Sequence, residues 1–348
     1  MPDKSVSYPE NGEERLTPRA LLRAGLLLLA VIAAAVALVQ LHELVTVFLI
    51  AVVLAEGLRP LVDGLAARRM PREIARALVY VGLLAALAVV VVVLARPVVA
   101  QGREILNDLP RYQHELQRNL AALSLDVNLS SQLSGSAASL ARGAFTVAAG
   151  LARGLVDIVV ILLLSFLWLS ASRRLGAFLL PLLPTGRREL ALAAWREIAA
   201  GFAGYVRGVG VNMIVIGVLT GTATAFLGLP APVLLGVLAG LTEMIPIVGP
   251  IIGAVPAVLL GFTISPYYPL LVAAVYLAIQ QIEAHTLVPL VMRQAVGLPA
   301  LLVVLALAAG AALGGVGGAI VAVPLAFAAQ VVVLRVIAPA IRERNANR

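Results

Sequence analysis

The chain has 348 residues, 61% hydrophobic and only 13% charged, with a mean hydropathy of +1.02. A soluble globular protein is nearer ~45–50% apolar and ~25% charged, so there is too little polar sequence to clothe two water-facing domains. The net charge is +8, Lys4 is the single lysine among 26 basic residues, and cysteine is absent. These numbers exclude a disordered chain, a disulfide scaffold and thiol chemistry, and they make a nucleic-acid partner the wrong reading of the basic charge. They indicate an all-α, polytopic membrane protein whose arginines orient its spans in a lipid bilayer.

Residues 1–19 form a mixed-charge tail. They do not read as a cleavable signal, because the apolar run behind them is too long and lacks a small-residue cleavage pattern. Three apolar runs follow within 20–95: residues 20–39, 44–58 and 77–95. A polar segment, 96–153, separates them from two more, 155–169 and 208–229. Beyond Pro230 the sequence stays apolar to Leu334, broken by glycine and proline rather than by polar loops. A basic tail, 339–348, closes the chain. With the N-terminus inside, 20 basic residues fall on the inner side and 6 on the outer. That bias places both termini on the cytoplasmic side of the membrane.

Two polar stretches are amphipathic. Ile105, Leu109, Tyr112, Leu116 and Leu120 recur at helical spacing in the outer segment, and Leu192, Trp195, Ile198, Phe202 and Tyr205 do so on the inner side. Either stripe can lie on the membrane surface or pack on neighbouring protein.

The second half reads as a repeat within a core domain, 154–338. Residues 228–262 and 297–335 both open on Gly-Leu-Pro-Ala, pass a glycine-rich centre and reach Ala-Val-Pro. Pro246, Gly249, Pro250 and Pro256 break the first unit, and Gly310 to Gly318 break the second. Proline removes a backbone donor and clashes with the preceding turn, so a hairpin suits the first unit better than a straight helix. A helix over 270–290 would join the two, giving hairpins of opposite orientation. The expectation is six to eight transmembrane segments with two re-entrant helical hairpins forming an inverted repeat. The alternative is ordinary kinked helix pairs, eight full spans in all. Glycines four apart, among them Gly217 with Gly221 and Gly236 with Gly240, indicate tight packing.

Between residues 208 and 334 the charged side chains are Glu243, Glu283 and Arg293, with His285 the one histidine. A carboxylate at membrane depth costs at least ~2.5 kcal/mol, so it pairs, protonates or works. Glu243 stands three residues before Pro246. Tyr276, Gln280 and Glu283 share one helix face, with His285 beside them. Glu243, Pro246, Gly249, Pro250, Gln280, Glu283, His285 and Asn212 make the candidate transport path; the bland reading is that the carboxylates cap helix ends or lie at the interface and that Asn212 and Thr242 bond to backbone. Enzymatic signatures are absent: no phosphate-binding loop, no His-Glu-x-x-His helix, no nucleophile elbow. No cofactor or metal site is expected.

The block Tyr205-Val-Arg-Gly208, Gly228-Leu-Pro-Ala-Pro232, Glu243-Met-Ile-Pro246, Gly249-Pro250, Gln281-Ile-Glu283 and Gly314 to Pro324 resembles the autoinducer-2 exporter family, also described as PerM-like permeases. Leu298 stands where that family often has histidine, and Ser170 to Arg174 departs from its usual segment. The resemblance implies an inner-membrane permease, homo-oligomeric, exporting a small polar solute such as autoinducer-2. Sodium/proton exchange by other members makes a monovalent cation antiporter the alternative. A third reading is a scaffold for envelope or division partners that uses the outer segment as its contact.

Overall fold

The computed structural model describes residues 29, 40–122, 156–287 and 298–339. The first apolar run, the stretch 123–155, Arg293 and the basic tail beyond residue 339 lie outside them. Two compact units divide the chain, Met1–Val45 and Thr46–Arg348. The described residues of the second unit are helical and contain no strand. The helices are α1 (His42–Ala66), α2 (Arg72–Asn107), α3 (Leu109–Ala122), α4 (Val156–Leu182), α5 (Thr185–Phe226), α6 (Pro232–Thr242), α7 (Val248–Gly261), α8 (Tyr268–Ile282) and α9 (Ala300–Val332). Glu283–Leu287 and Val333–Ile337 continue α8 and α9 as single π turns.

Among the described residues, five helical runs are long and apolar enough to cross a bilayer: α1, α2, α4, α5 and Ala300–Ile337. The last is not one rod. Gly314 leaves the helical region and Gly315 takes φ 57°, ψ −141°, a conformation open to glycine alone. A Cβ on Gly310 would then meet the Gly318 carbonyl and the Ala322 side chain. In a straight helix residues 310 and 318 would stand about 12 Å apart, so the chain has reversed and α9 is a helical hairpin.

The first repeat unit is a second hairpin, α6 and α7. Its entry is a Schellman ending on α5: Gly228 takes φ 65°, its N–H bonds to Ala225 O, and Leu229 N–H bonds to Thr224 O. Pro232 then occupies the first turn of α6, where a missing donor costs nothing. At the far end Ile247 has φ 72° and ψ −48°, and Val248 N–H bonds to Pro246 O at 2.9 Å. That is a strained γ-turn. Gly249 makes it fit, because a Cβ there would overlap the Thr242 carbonyl.

Both hairpins lie along α5, a rod of 42 residues and about 63 Å. The glycines four apart turn out to face one another: Gly217 and Gly221 of α5 meet Gly236 and Gly240 of α6, backbone on backbone. Contact proceeds from Pro232 at Gly221 to Gly240 at Met213, so the α6–α7 turn points toward the N-terminal end of α5. The other hairpin approaches from that end. Arg335 bonds to Glu197 at 2.9 Å, Phe327 covers Gly201, and Tyr205 OH donates to Ile320 O at 3.1 Å. Its turn reaches Thr46 on α1. The two hairpins therefore run in opposite directions.

The element limits differ from the sequence expectation in a consistent way. Helices α1, α2, α4 and α5 extend past their apolar runs, since helical hydrogen bonding continues wherever an end packs on protein. The α8 helix ends at Ile282, short of residue 290, in its π turn. Both amphipathic stripes pack on protein. Ile198, Phe202 and Tyr205 are buried with Val52, Leu307, Val323 and Val331. Ile105 and Tyr112 cover Ala231 and Leu234 at the mouth of the first hairpin. Two side chains fasten that mouth: Gln101 Oε1 accepts from Leu234 N–H at 3.0 Å, and Asn119 donates to Phe262 O at 2.5 Å.

Candidate functional site

Three of the sequence-derived residues come together. Asn212, on α5, donates from Nδ2 to Glu243 Oε2 at 3.0 Å and to Glu283 Oε1 at 2.7 Å. One amide thus joins two carboxyl groups from two other elements. Glu243 is 4% exposed and Glu283 8%. Among the described residues neither carboxylate has an ion pair.

Backbone position adds to the charge problem. Glu243 is the C-cap of α6 and Glu283 the C-cap of α8. The C-terminal end of a helix carries partial negative charge from its unpaired carbonyls. Glu243 therefore sits where a helix least favours an anion, whereas Glu283 opens the π turn that carries α8 on to Leu287. A cap chosen for stability would be basic.

The remaining atoms of the site are oxygens without partners. Among the described residues, five buried side-chain polar atoms make no hydrogen bond: Asn212 Oδ1, Glu243 Oε1, Glu283 Oε2, Thr220 Oγ1 and Tyr276 OH. Buried polar groups are normally paired, and an orphan requires an explanation such as water or an ion. All five belong to the elements that meet at this site.

Pro246, Gly249 and Pro250 act through the backbone: they form the turn that sets Glu243 against Asn212. Gln280 is half-buried one turn before Glu283. His285 is exposed on the π turn and is not gathered into the site. Thr242 donates to Ala239 O at 2.9 Å, a bond to its own helix.

A cavity of about 890 Å³ lies between α2, α4, α5 and α6. Leu87, Val91, Leu94, Ile214 and Val237 line it, and Thr222 is its one hydroxyl. With so few polar groups it has nothing to orient a charged solute.

Sequence reading missed a second polar cluster. Glu56, 1% exposed on α1, accepts two bonds from Arg59 at 2.6 and 2.7 Å and one from Trp168 Nε1 at 2.9 Å. Arg59 also donates to Ser172 at 3.0 Å. Nearby, Arg76 bonds to Glu73 and Ser170 and lies over the Phe166 ring, and Tyr80 shares a 2.5 Å hydrogen bond with Ser165. The available signal was Glu56 and Arg59 at a spacing of three, on the edge of an apolar run.

Long apolar helices enclosing a buried carboxyl pair between two opposed hairpins define a multi-pass membrane protein with its polar site inside the bundle. The AI-2E family transporter profile matches residues 26–338. The chain belongs to that family. Three relatives carry the name "Putative transport protein". YrrI of Bacillus subtilis is 36% identical over 41% of this chain and 40% of that protein. YueF, also of B. subtilis, is 25% identical over 74% and 75% of the two chains. MT0215 of Mycobacterium tuberculosis is 29% identical over 85% of each.

Proposed function

We propose that this chain is a secondary permease of the bacterial inner membrane, with both termini cytoplasmic. It exports a small polar solute, an autoinducer-2-like signalling molecule being one such, in exchange for protons handled by Glu243 and Glu283. One observation carries this reading: two buried carboxyl groups, one of them at a helix C-terminus, share a single amide and have no cationic side chain paired with them among the described residues. Two bare anions so placed are unfavourable, and a proton held by the pair removes half of that charge.

The two hairpins serve as re-entrant elements. The arms of the first, 11 and 14 residues, span about 16 and 21 Å, short of the ~30 Å hydrocarbon core. Broken backbone inside a membrane needs a protein or aqueous lining, which α5 and α8 supply. Interrupted helices from opposite sides, meeting near mid-bundle, suit an alternating-access site.

Flux in proteoliposomes tests the assignment. Glu283→Gln keeps the hydrogen bond to Asn212 and removes the ionisable group, so flux falls while folding persists. Wild-type flux from that variant would overturn the proton role.

A monovalent cation/proton antiporter is the second reading. The three orphan atoms around Asn212 are all oxygens, the ligand type a hard cation prefers. Sodium pulses applied to vesicles holding a pH indicator separate the two: a sodium-dependent pH change, lost in Glu243→Gln, favours the cation.

A further inference from the structure

The carboxyl site is one level of a layered column. Helices α5 and α8 are antiparallel with a fixed register. At one end Tyr268 OH donates to Leu227 O at 2.5 Å; at the other, Asn212 bonds to Glu283 at 2.7 Å. Stepping inward from both ends by the same number of residues places Ile216 opposite Ile279 and Thr220 opposite Val275, with Tyr276 the next residue along α8. The packing agrees, because Ile216, Ala239 and Ile279 form one buried apolar cluster.

The sequence of levels is then polar, apolar, polar. Asn212, Glu243 and Glu283 form the first. One turn toward Phe226, Ile216, Ala239 and Ile279 close the column. A further turn on, Thr220 and Tyr276 stand at about the same level, about 11 Å from the carboxyl groups along the helix axes. Thr220 is 1% exposed and Tyr276 6%, and neither hydroxyl has a partner among the described residues. The Tyr276 ring is set among Leu229, Leu235, Ala257 and Val272, which offer it no acceptor. A hydroxyl kept dry and unpaired in such surroundings is destabilising. Phenylalanine and valine would fill the same space without that cost.

We propose that Thr220 and Tyr276 form a second polar station, wetted from the Phe226 face, and that Ile216, Ala239 and Ile279 are the apolar gate between it and the carboxyl pair. A short hydrophobic constriction stops water and ions by dewetting, without a bulky plug. The gate keeps the carboxyl site from equilibrating with the Phe226 side until α6 or α8 moves. Its purpose rests on the permease reading; its geometry does not.

The chain has no cysteine, so single-cysteine labelling has no background. A membrane-impermeant methanethiosulfonate reacts with thiolate only where water reaches it. Applied from the Phe226 face, it modifies Thr220→Cys at least about tenfold faster than Asn212→Cys, and adding Ile279→Ala brings Asn212→Cys to within about threefold of Thr220→Cys. Tyr276→Cys replaces Thr220→Cys if the latter folds poorly, with the same expectation. Thr220→Cys and Tyr276→Cys reacting no faster than Asn212→Cys would overturn the station. An Asn212→Cys rate unmoved by Ile279→Ala would overturn the gate. If labelling follows the expected pattern while Glu283→Gln leaves flux unchanged, the gate stands and the permease reading falls; the reverse pattern removes only the gate.

Discussion

Glu56 and Glu243 are both buried glutamates on apolar helices, yet their surroundings are opposite. Glu56 receives a two-pronged guanidinium and an indole N–H, and its partners reach on to Ser172, tying α1 to α4. Glu243 shares one amide with a second carboxyl group and keeps an oxygen unpaired. Burial alone therefore does not mark a working charge. A charge whose hydrogen-bonding capacity is filled by its own fold is part of the frame. One left short, and set against the helix dipole, keeps bonding capacity that its own fold does not fill.

Four substitutions bear on that contrast. The largest effect is expected at the filled cluster. Arg59→Ala strands Glu56, whose side chain has no exposure, and should cost about 3–5 kcal/mol of stability, read as lost thermal or denaturant resistance in detergent. Flux per folded molecule should persist; its abolition would erase the distinction between the clusters. Next, Gly249→Ala drives a methyl group into the Thr242 carbonyl. A cost of about 1–3 kcal/mol is expected, together with lost flux, because the same turn carries Glu243. Unchanged melting would show that the γ-turn relaxes freely.

Glu283→Gln should lower flux at least tenfold, about 1.4 kcal/mol in the barrier, and leave the melting temperature within a few degrees of wild type. A large stability loss would instead place Glu283 with the frame. The smallest effect belongs to Gln101→Ala, which frees one backbone N–H at the start of α6. A cost of about 1 kcal/mol is expected, seen as faster hydrogen exchange at Leu234. Exchange unaltered there would mean that the outer segment does not fasten the hairpin.

Legibility in the sequence followed cost. Glu243 and Glu283 were conspicuous because a carboxylate in a long apolar stretch is expensive wherever it goes. The breaks at Pro246 and Gly314 were visible because proline and glycine restrict or free the backbone locally. Asn212 was named as a candidate, but its bridging of two carboxyl groups depends on α5, α6 and α8 converging, and no spacing encodes that. Thr220 was invisible, since a threonine in a span usually bonds to the carbonyl four residues back. Trp168 falls within the apolar run 155–169, and nothing in the sequence gives its N–H a target. The amphipathic stripes fitted a membrane surface and a protein surface equally well, and tertiary packing decided between them.

The length of α5 has a mechanical consequence. Asn212 stands about two-thirds of the way along the rod, with 27 residues before it in the helix and 14 after. If the rod rocks about that point, its N-terminal end sweeps roughly twice the arc of the other. The hairpin anchored near Glu197 rides the long arm and the one entering beyond Phe226 the short arm. One rigid lever would then move the two hairpins in opposite senses by unequal amounts, with the carboxyl pair at the fulcrum, where displacement is least.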